Sequence, residues 1–170
     1  MVTERLRHLP QLQPRLSVLA VAACFVGTAL ALPNGANVVS GQATFQATGK
    51  TLTVTNTPGA IINWNGFSIR ADELARFQQQ SAGSTVLNRV VGQDPSAILG
   101  ALQSNGRVFV INPNGIVFGP GAQIDVAGLV ASSLHLSNAD FLSGRMQFRE
   151  QGGASGAVVN QGEIRTPVGG

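Results

Sequence analysis

From Leu32 onward the chain has one histidine, His135, with Ser133 and Asp140 close by in sequence. A serine, a histidine and an acid are the parts of a nucleophilic triad, in which the ring takes the serine proton and the acid orients the ring. Closeness in sequence does not bring three side chains together in space, and no G-x-S-x-G elbow surrounds Ser133. Asp125, Asp140, Glu150 and Glu163 stand singly, without carboxylate pairing or calcium-loop spacing. The glycine-rich stretches lack the G-K-[ST] ending of a phosphate loop. Cys24 is the only cysteine. No enzyme, metal site or cofactor is expected from these residues.

The charge balance narrows the field further. The 170 residues carry 11 Lys and Arg against 8 Asp and Glu, a net charge of +3. Arg5, Arg7 and Arg15 precede an apolar run, and from Leu32 onward the scattered charges come to +1. There is no basic stripe, so nucleic acid is not an expected partner. With 44% hydrophobic and 11% charged residues, the composition is that of a folded chain.

The N-terminus reads as an address. Residues 1–15 are basic, Leu16 to Leu30 are apolar, and Ala29-Leu30-Ala31 places small residues at −3 and −1 of a signal-peptidase site. The expected signal peptide is 1–31, with cleavage before Leu32 and a mature domain over 32–170. An uncleaved anchor is the plain alternative. Val21-Ala22-Ala23-Cys24 also fits a loose lipobox, which would acylate Cys24, but the apolar run continues beyond it. No second stretch reaches the roughly 20 residues that span a bilayer.

The elements are short. Ala43 to Ala47 and Thr51 to Thr55 alternate around Thr48-Gly49-Lys50, followed by Ala60 to Trp64 and the turn pair Asn65-Gly66, where both residues tolerate positive φ. Asp72 to Gln80 favours helix by propensity. Ser84 to Val91 is strand-like. Asp94-Pro95-Ser96 opens an expected short helix over Pro95 to Leu102, with an acid at the N-cap and proline at N1. Arg107 to Ile111, Ile116 to Phe118 and Gln123 to Val126 are strands parted by Asn112-Pro113-Asn114-Gly115 and Gly119-Pro120-Gly121. Strands this short, broken every five to eight residues, suit a parallel β-helix of six or seven coils of roughly 20 residues. A β-sandwich accounts for the strand content but not for strands so short.

The ordered pieces resemble the N-terminal secretion domain of two-partner secretion exoproteins, the filamentous haemagglutinin and high-molecular-weight adhesin family. They are Leu32-Pro33, Val38 to Gly41, Ala60 to Trp64, Leu87-Asn88-Arg89-Val90, Ile98-Leu99-Gly100 with Asn105-Gly106, Val110 to Gly119 with its core Asn112-Pro113-Asn114-Gly115-Ile116, Gly128 to Leu134, and Val159 to Gly162. The resemblance implies an all-β fold, a right-handed parallel β-helix with an N-terminal cap and extra-helical strands. It also implies strand in place of helix at Glu73 to Gln79. The sequence stops within a repeat, so a domain truncated at its C-terminal end is expected.

As partners the resemblance implies the general secretion machinery, signal peptidase and an outer-membrane transporter whose periplasmic POTRA domains receive the domain. Membrane contact is then only in transit, and the product is secreted or held at the cell surface. The alternative reading is an adhesin that binds host cells or glycans in its own right. Asn112 to Ile116, with Leu87 to Val90 as a second motif, is the expected secretion signal. Its first four residues could meet the transporter or simply turn the chain at a coil corner. Trp64 and Phe67 are expected to pack in the cap or core.

Overall fold

The computed structural model of the protein describes residues 32–150, 152–153 and 155–167. The basic segment, the apolar run, Cys24 and the cleavage residues Ala29 and Ala31 lie outside them. Leu32 is half-buried and packs on the main core.

Fourteen strands and one short helix make up the described residues. In chain order they are β1 (Asn37–Ser40), β2 (Ala43–Thr48), β3 (Thr51–Asn56), β4 (Ala60–Trp64), β5 (Leu74–Gln78), β6 (Thr85–Val90), β7 (Ser96–Ile98), β8 (Ala101–Ile111), β9 (Ile116–Phe118), β10 (Gln123–Ser132), β11 (His135–Leu136), α1 (Asn138–Leu142), β12 (Phe148–Arg149), β13 (Val158–Asn160) and β14 (Glu163–Arg165).

Parallel pairing stacks them in three columns. In the first, Thr51 of β3 lies beside Leu74 of β5, which lies beside Ala101 of β8, then Gln123 of β10, then Glu163 of β14. In the second, Ile61 of β4 lies beside Leu87 of β6, then Phe109 of β8, then Val130 of β10. In the third, Ser96 of β7 lies beside Ile116 of β9, then Val158 of β13. The chain therefore winds as a parallel β-helix of about four turns.

Period-two alternation fills its interior. Leu52, Ala75, Leu102 and Ile124 occupy one inward row on successive coils, and all are buried. Burying each large aliphatic side chain stabilises the fold by about 1.5–3 kcal/mol. At the N-terminal end β1 pairs antiparallel with β4, and β2 antiparallel with β3. Phe45 of β2 meets Trp64 edge-on at 5.6 Å, Trp64 meets Phe67 at 5.7 Å, and Phe67 stacks on Phe77 at 6.4 Å. Trp64 and Phe67 are fully buried, as expected of packing residues.

After Ser132 the chain leaves the coil. β11 and β12 form a small antiparallel ribbon with α1 between them. Leu136, Phe141 and Phe148 pack over Ile61, Leu87, Phe109 and Ile111, forming a second apolar core outside the β-helix. Phe109 and Phe141 meet edge-on at 5.2 Å. Ser137 caps α1, its Oγ accepting from Asp140 N at 3.1 Å.

Three local expectations are corrected. Pro95 to Leu102 is not a helix: Ser96 and Ile98 point inward and pair with Ile116 and Phe118, and tertiary pairing outweighs the N-cap signal. Asn65-Gly66 is not a positive-φ turn; Gly66 sits in an antiparallel bridge to Asn34. The coils number about four and not six or seven, because residues 37–48 build the cap and residues 133–150 carry the excursion. Leu74–Gln78 is a strand with Ala75 and Phe77 inward, so its helical propensity is overridden.

Candidate functional site

Asn112 to Gly115 forms the corner between β8 and β9. Gly115 N donates to Asn112 O at 3.0 Å, closing a four-residue turn. Asparagine at the first position, proline at the second and glycine at the fourth are the residues a type I turn prefers. Gly115 is the residue of this corner with positive φ, +107°, and Asn114 has none.

Asn112 is fully buried and its side chain is used at both ends. Its Nδ2 donates to Asp94 O at 3.0 Å and to Ser96 Oγ at 2.9 Å, both on the coil before. Its Oδ1 accepts from Asn114 N at 2.9 Å, an Asx-turn within the corner. Asn114 Nδ2 reaches back to Gly92 O at 3.0 Å. Toward the following coil, Ile116 N donates to Ala157 O at 3.0 Å and Gly156 N to Pro113 O at 2.8 Å. The corner thus ties three coils together. Asn112, Gly115 and Ile116 are buried in doing so, and Pro113 and Asn114 remain exposed.

The second motif lies one coil earlier, on β6. Leu87 faces the outer core and Val90 the inner one. Asn88 is fully buried; its Oδ1 accepts from Trp64 Nε1 at 2.9 Å and its Nδ2 donates to Phe109 O at 3.2 Å. Arg89, set beside Ile111, donates from Nη2 to Leu136 O at 2.7 Å and from Nη1 to Asn63 Oδ1 at 3.3 Å. Its Nε is buried with no partner, and desolvation lowers the guanidinium pKa. His135 also titrates lower than usual, through burial first and the Arg89 charge second.

The two motifs converge. Arg89, Val91, Gly92, Pro113, Asn114 and His135 line one surface groove of about 340 Å³. Val91 is 56% exposed at its edge, a large apolar side chain left in water. The sequence reading missed Val91 and Gly92, and considered His135 only for a triad. One coil's spacing, which sets Arg89 beside Ile111 in the register, is the signal that links them. Asp140 has other partners: it accepts from Ser137 Oγ at 2.7 Å and from Arg145 Nε at 2.8 Å, which hold its carboxyl below the usual range.

A capped β-helix whose buried polar corner residues hold the coils together defines a structural domain. Residues 29–170 match the family model of the TPS secretion domain, and the chain belongs to that family. It is a domain of two-partner secretion exoproteins and not an enzyme. The fold is similar to the HMW1 secretion domain from Haemophilus influenzae, with a TM-score of 0.75 and 40% identity over 78% of this chain and 36% of that one. The chain is also 41% identical over 106 residues to a heme/hemopexin-binding protein of Haemophilus influenzae Rd, and 38% identical over 89 residues to a second protein of that name from the species. These stretches span 12% and 10% of those relatives.

Proposed function

We propose that this domain addresses an exoprotein to its outer-membrane transporter, and that the transporter's periplasmic POTRA domains dock at the groove between Arg89 and Asn114. The observation that carries the reading is the split within the Asn112-Pro113-Asn114-Gly115 corner. Asn112 and Gly115 are used up in folding, whereas Pro113 and Asn114 face outward beside the exposed Val91. A partner can bury Val91 and hydrogen-bond the corner while the fold stays as it is. In this scheme residues 1–31 direct export through the general secretion machinery, signal peptidase cuts before Leu32, and the product ends secreted or at the cell surface.

A photo-crosslinking residue placed at position 114 tests the docking. It should trap the transporter in the outer-membrane fraction, and the same residue at position 123, on the first column, should not. Equal trapping from both positions, or from neither, refutes this placement.

A further inference from the structure

Of the described lysines and arginines, Arg89 is the one that is not exposed. Along β6, Val86, Asn88 and Val90 turn to the inner core and Leu87 to the outer one. Alternation therefore sets Arg89 and Val91 on the outward face with Leu87. Val91 N donates to Trp64 O at 2.8 Å, so the extended pairing continues one residue past the strand and holds Val91 in place.

The charge of Arg89 is not matched within the fold. Arg145 pairs with Asp140, Arg165 with Glu163 and Arg70 with Asp72, but among the described residues Arg89 is in no salt bridge. Its two acceptors, Leu136 O and Asn63 Oδ1, are neutral. A neutral donor would serve both, so folding leaves the full charge unspent. The guanidinium has five N–H groups and spends two of them there. A third, on Nε, is closed to solvent, and the other two belong to Nη1 and Nη2. No described residue lining the groove is acidic. His135, across from Arg89, feels this charge: burial first and Arg89 second hold it below its ordinary pKa. Arg149, beside His135 in the β11–β12 register, adds a further cation that is in no salt bridge among the described residues.

An unmatched, half-buried cation next to an exposed valine calls for an acid next to an aliphatic side chain. Resting on the docking reading above, we infer that the groove receives an aspartate or glutamate of the transporter. Its carboxylate accepts from the remaining Nη N–H groups of Arg89, and an aliphatic neighbour covers Val91. The strand sets the spacing. Arg89 and Val91 are two residues apart on extended backbone, roughly 6.5 Å, so the partner presents its acid and its aliphatic side chain at that separation. Charge-assisted hydrogen bonds of this kind are about twice as strong as neutral ones.

The test measures binding of the exported chain to the purified transporter in detergent, at low salt and at about 1 M, where the Debye length is about 3 Å. Wild-type affinity should fall several-fold at the higher salt. Arg89→Gln, which keeps a donor for Leu136 O, should weaken low-salt binding about 10- to 100-fold and flatten the salt dependence. Arg89→Lys, which restores the charge, should recover part of that loss. Arg76→Gln, on the first column, removes the same charge and should bind as wild type. Urea unfolding checks that each variant is folded. Wild-type affinity indifferent to salt, or Arg89→Gln bound as tightly as wild type, overturns the inference. If Val91→Ser and Asn114→Ala still weaken binding in that event, the docking reading stands without it. If wild type does not bind, or no groove variant changes binding, both fall. Phosphatidylglycerol vesicles are the second probe. Binding to them that needs Arg89, with transporter binding untouched by Arg89→Gln, would overturn the inference and give the groove to a lipid headgroup.

Discussion

Gly115→Val tests the corner as a fold determinant. Gly115 sits at φ +107°, where a β-branched residue is strained by about 1–3 kcal/mol. A Cβ would also lie 2.9 Å from Ala157 O, the acceptor of the Ile116 N–H bond. Pushing that carbonyl away weakens a hydrogen bond worth about 1 kcal/mol. The sum is about 3 kcal/mol, and with a urea slope of about 1–3 kcal/mol per molar the midpoint should fall by about 1–3 M. Asn114→Ala removes two hydrogen bonds of an exposed side chain, Nδ2 to Gly92 O and a longer one to Asn112 Oδ1, which Asn114 N still serves, and should cost about 0.5–1 kcal/mol. Urea unfolding of the two purified variants, followed by Trp64 fluorescence, gives both numbers. A Gly115→Val midpoint equal to wild type, or an Asn114→Ala shift as large as that of Gly115→Val, would show that positive φ and the Ala157 contact do not govern this corner.

Asn112→Ala should destabilise by about 2–3 kcal/mol, since it leaves the buried Ser96 Oγ without its donor and removes the bond to Asp94 O and the Asx-turn; thermal unfolding measures it. Asn88→Leu strips Trp64 Nε1 of its acceptor and should cost about 1–3 kcal/mol, with a changed near-UV signal from the indole. Asp140 titrates below its ordinary value, through Ser137 first and Arg145 second, so the folded excursion favours the carboxylate. Its contribution is complete above the ordinary carboxylate pKa, about 3.9, and is lost as pH falls through the lower folded value; amide exchange over 137–145 reads the loss. N-terminal sequencing of exported protein should begin Leu-Pro-Asn-Gly, and a diacylated Cys24 would replace signal-peptidase cleavage with the lipoprotein route.

What the sequence made legible was local. Alternation in Thr51–Asn56 and the turn at Asn112 to Gly115 survive in the structure, but the short-strand rhythm does so only in part, since Ala101–Ile111 and Gln123–Ser132 run on as strands of 11 and 10 residues through Asn105-Gly106 and Gly128. Asp94-Pro95 misleads because its N-cap chemistry is local, whereas Ser96 and Ile98 are fixed by partners about 20 residues on, Ile116 and Phe118. The coil count fails for a similar reason. Residues 133–150 have the apolar content of another coil, but Leu136 and Phe141 are drawn onto the outward ladder of Ile61, Leu87 and Phe109, which one strand's alternation does not reveal. At the corner, residue types announce a turn. Only the stacking of Gly92, Asp94 and Ser96 against it separates buried Asn112 from exposed Asn114.

The most direct test of the targeting role measures the chain in periplasmic and medium fractions, with and without its transporter, for wild type and Asn114→Ala. Wild type should reach the medium only when the transporter is present. Asn114→Ala, folded by its urea midpoint, should be exported into the periplasm at wild-type levels and fall strongly in the medium. Wild-type protein in the medium without the transporter, or Asn114→Ala secreted as well as wild type, would contradict recognition of the domain at this corner.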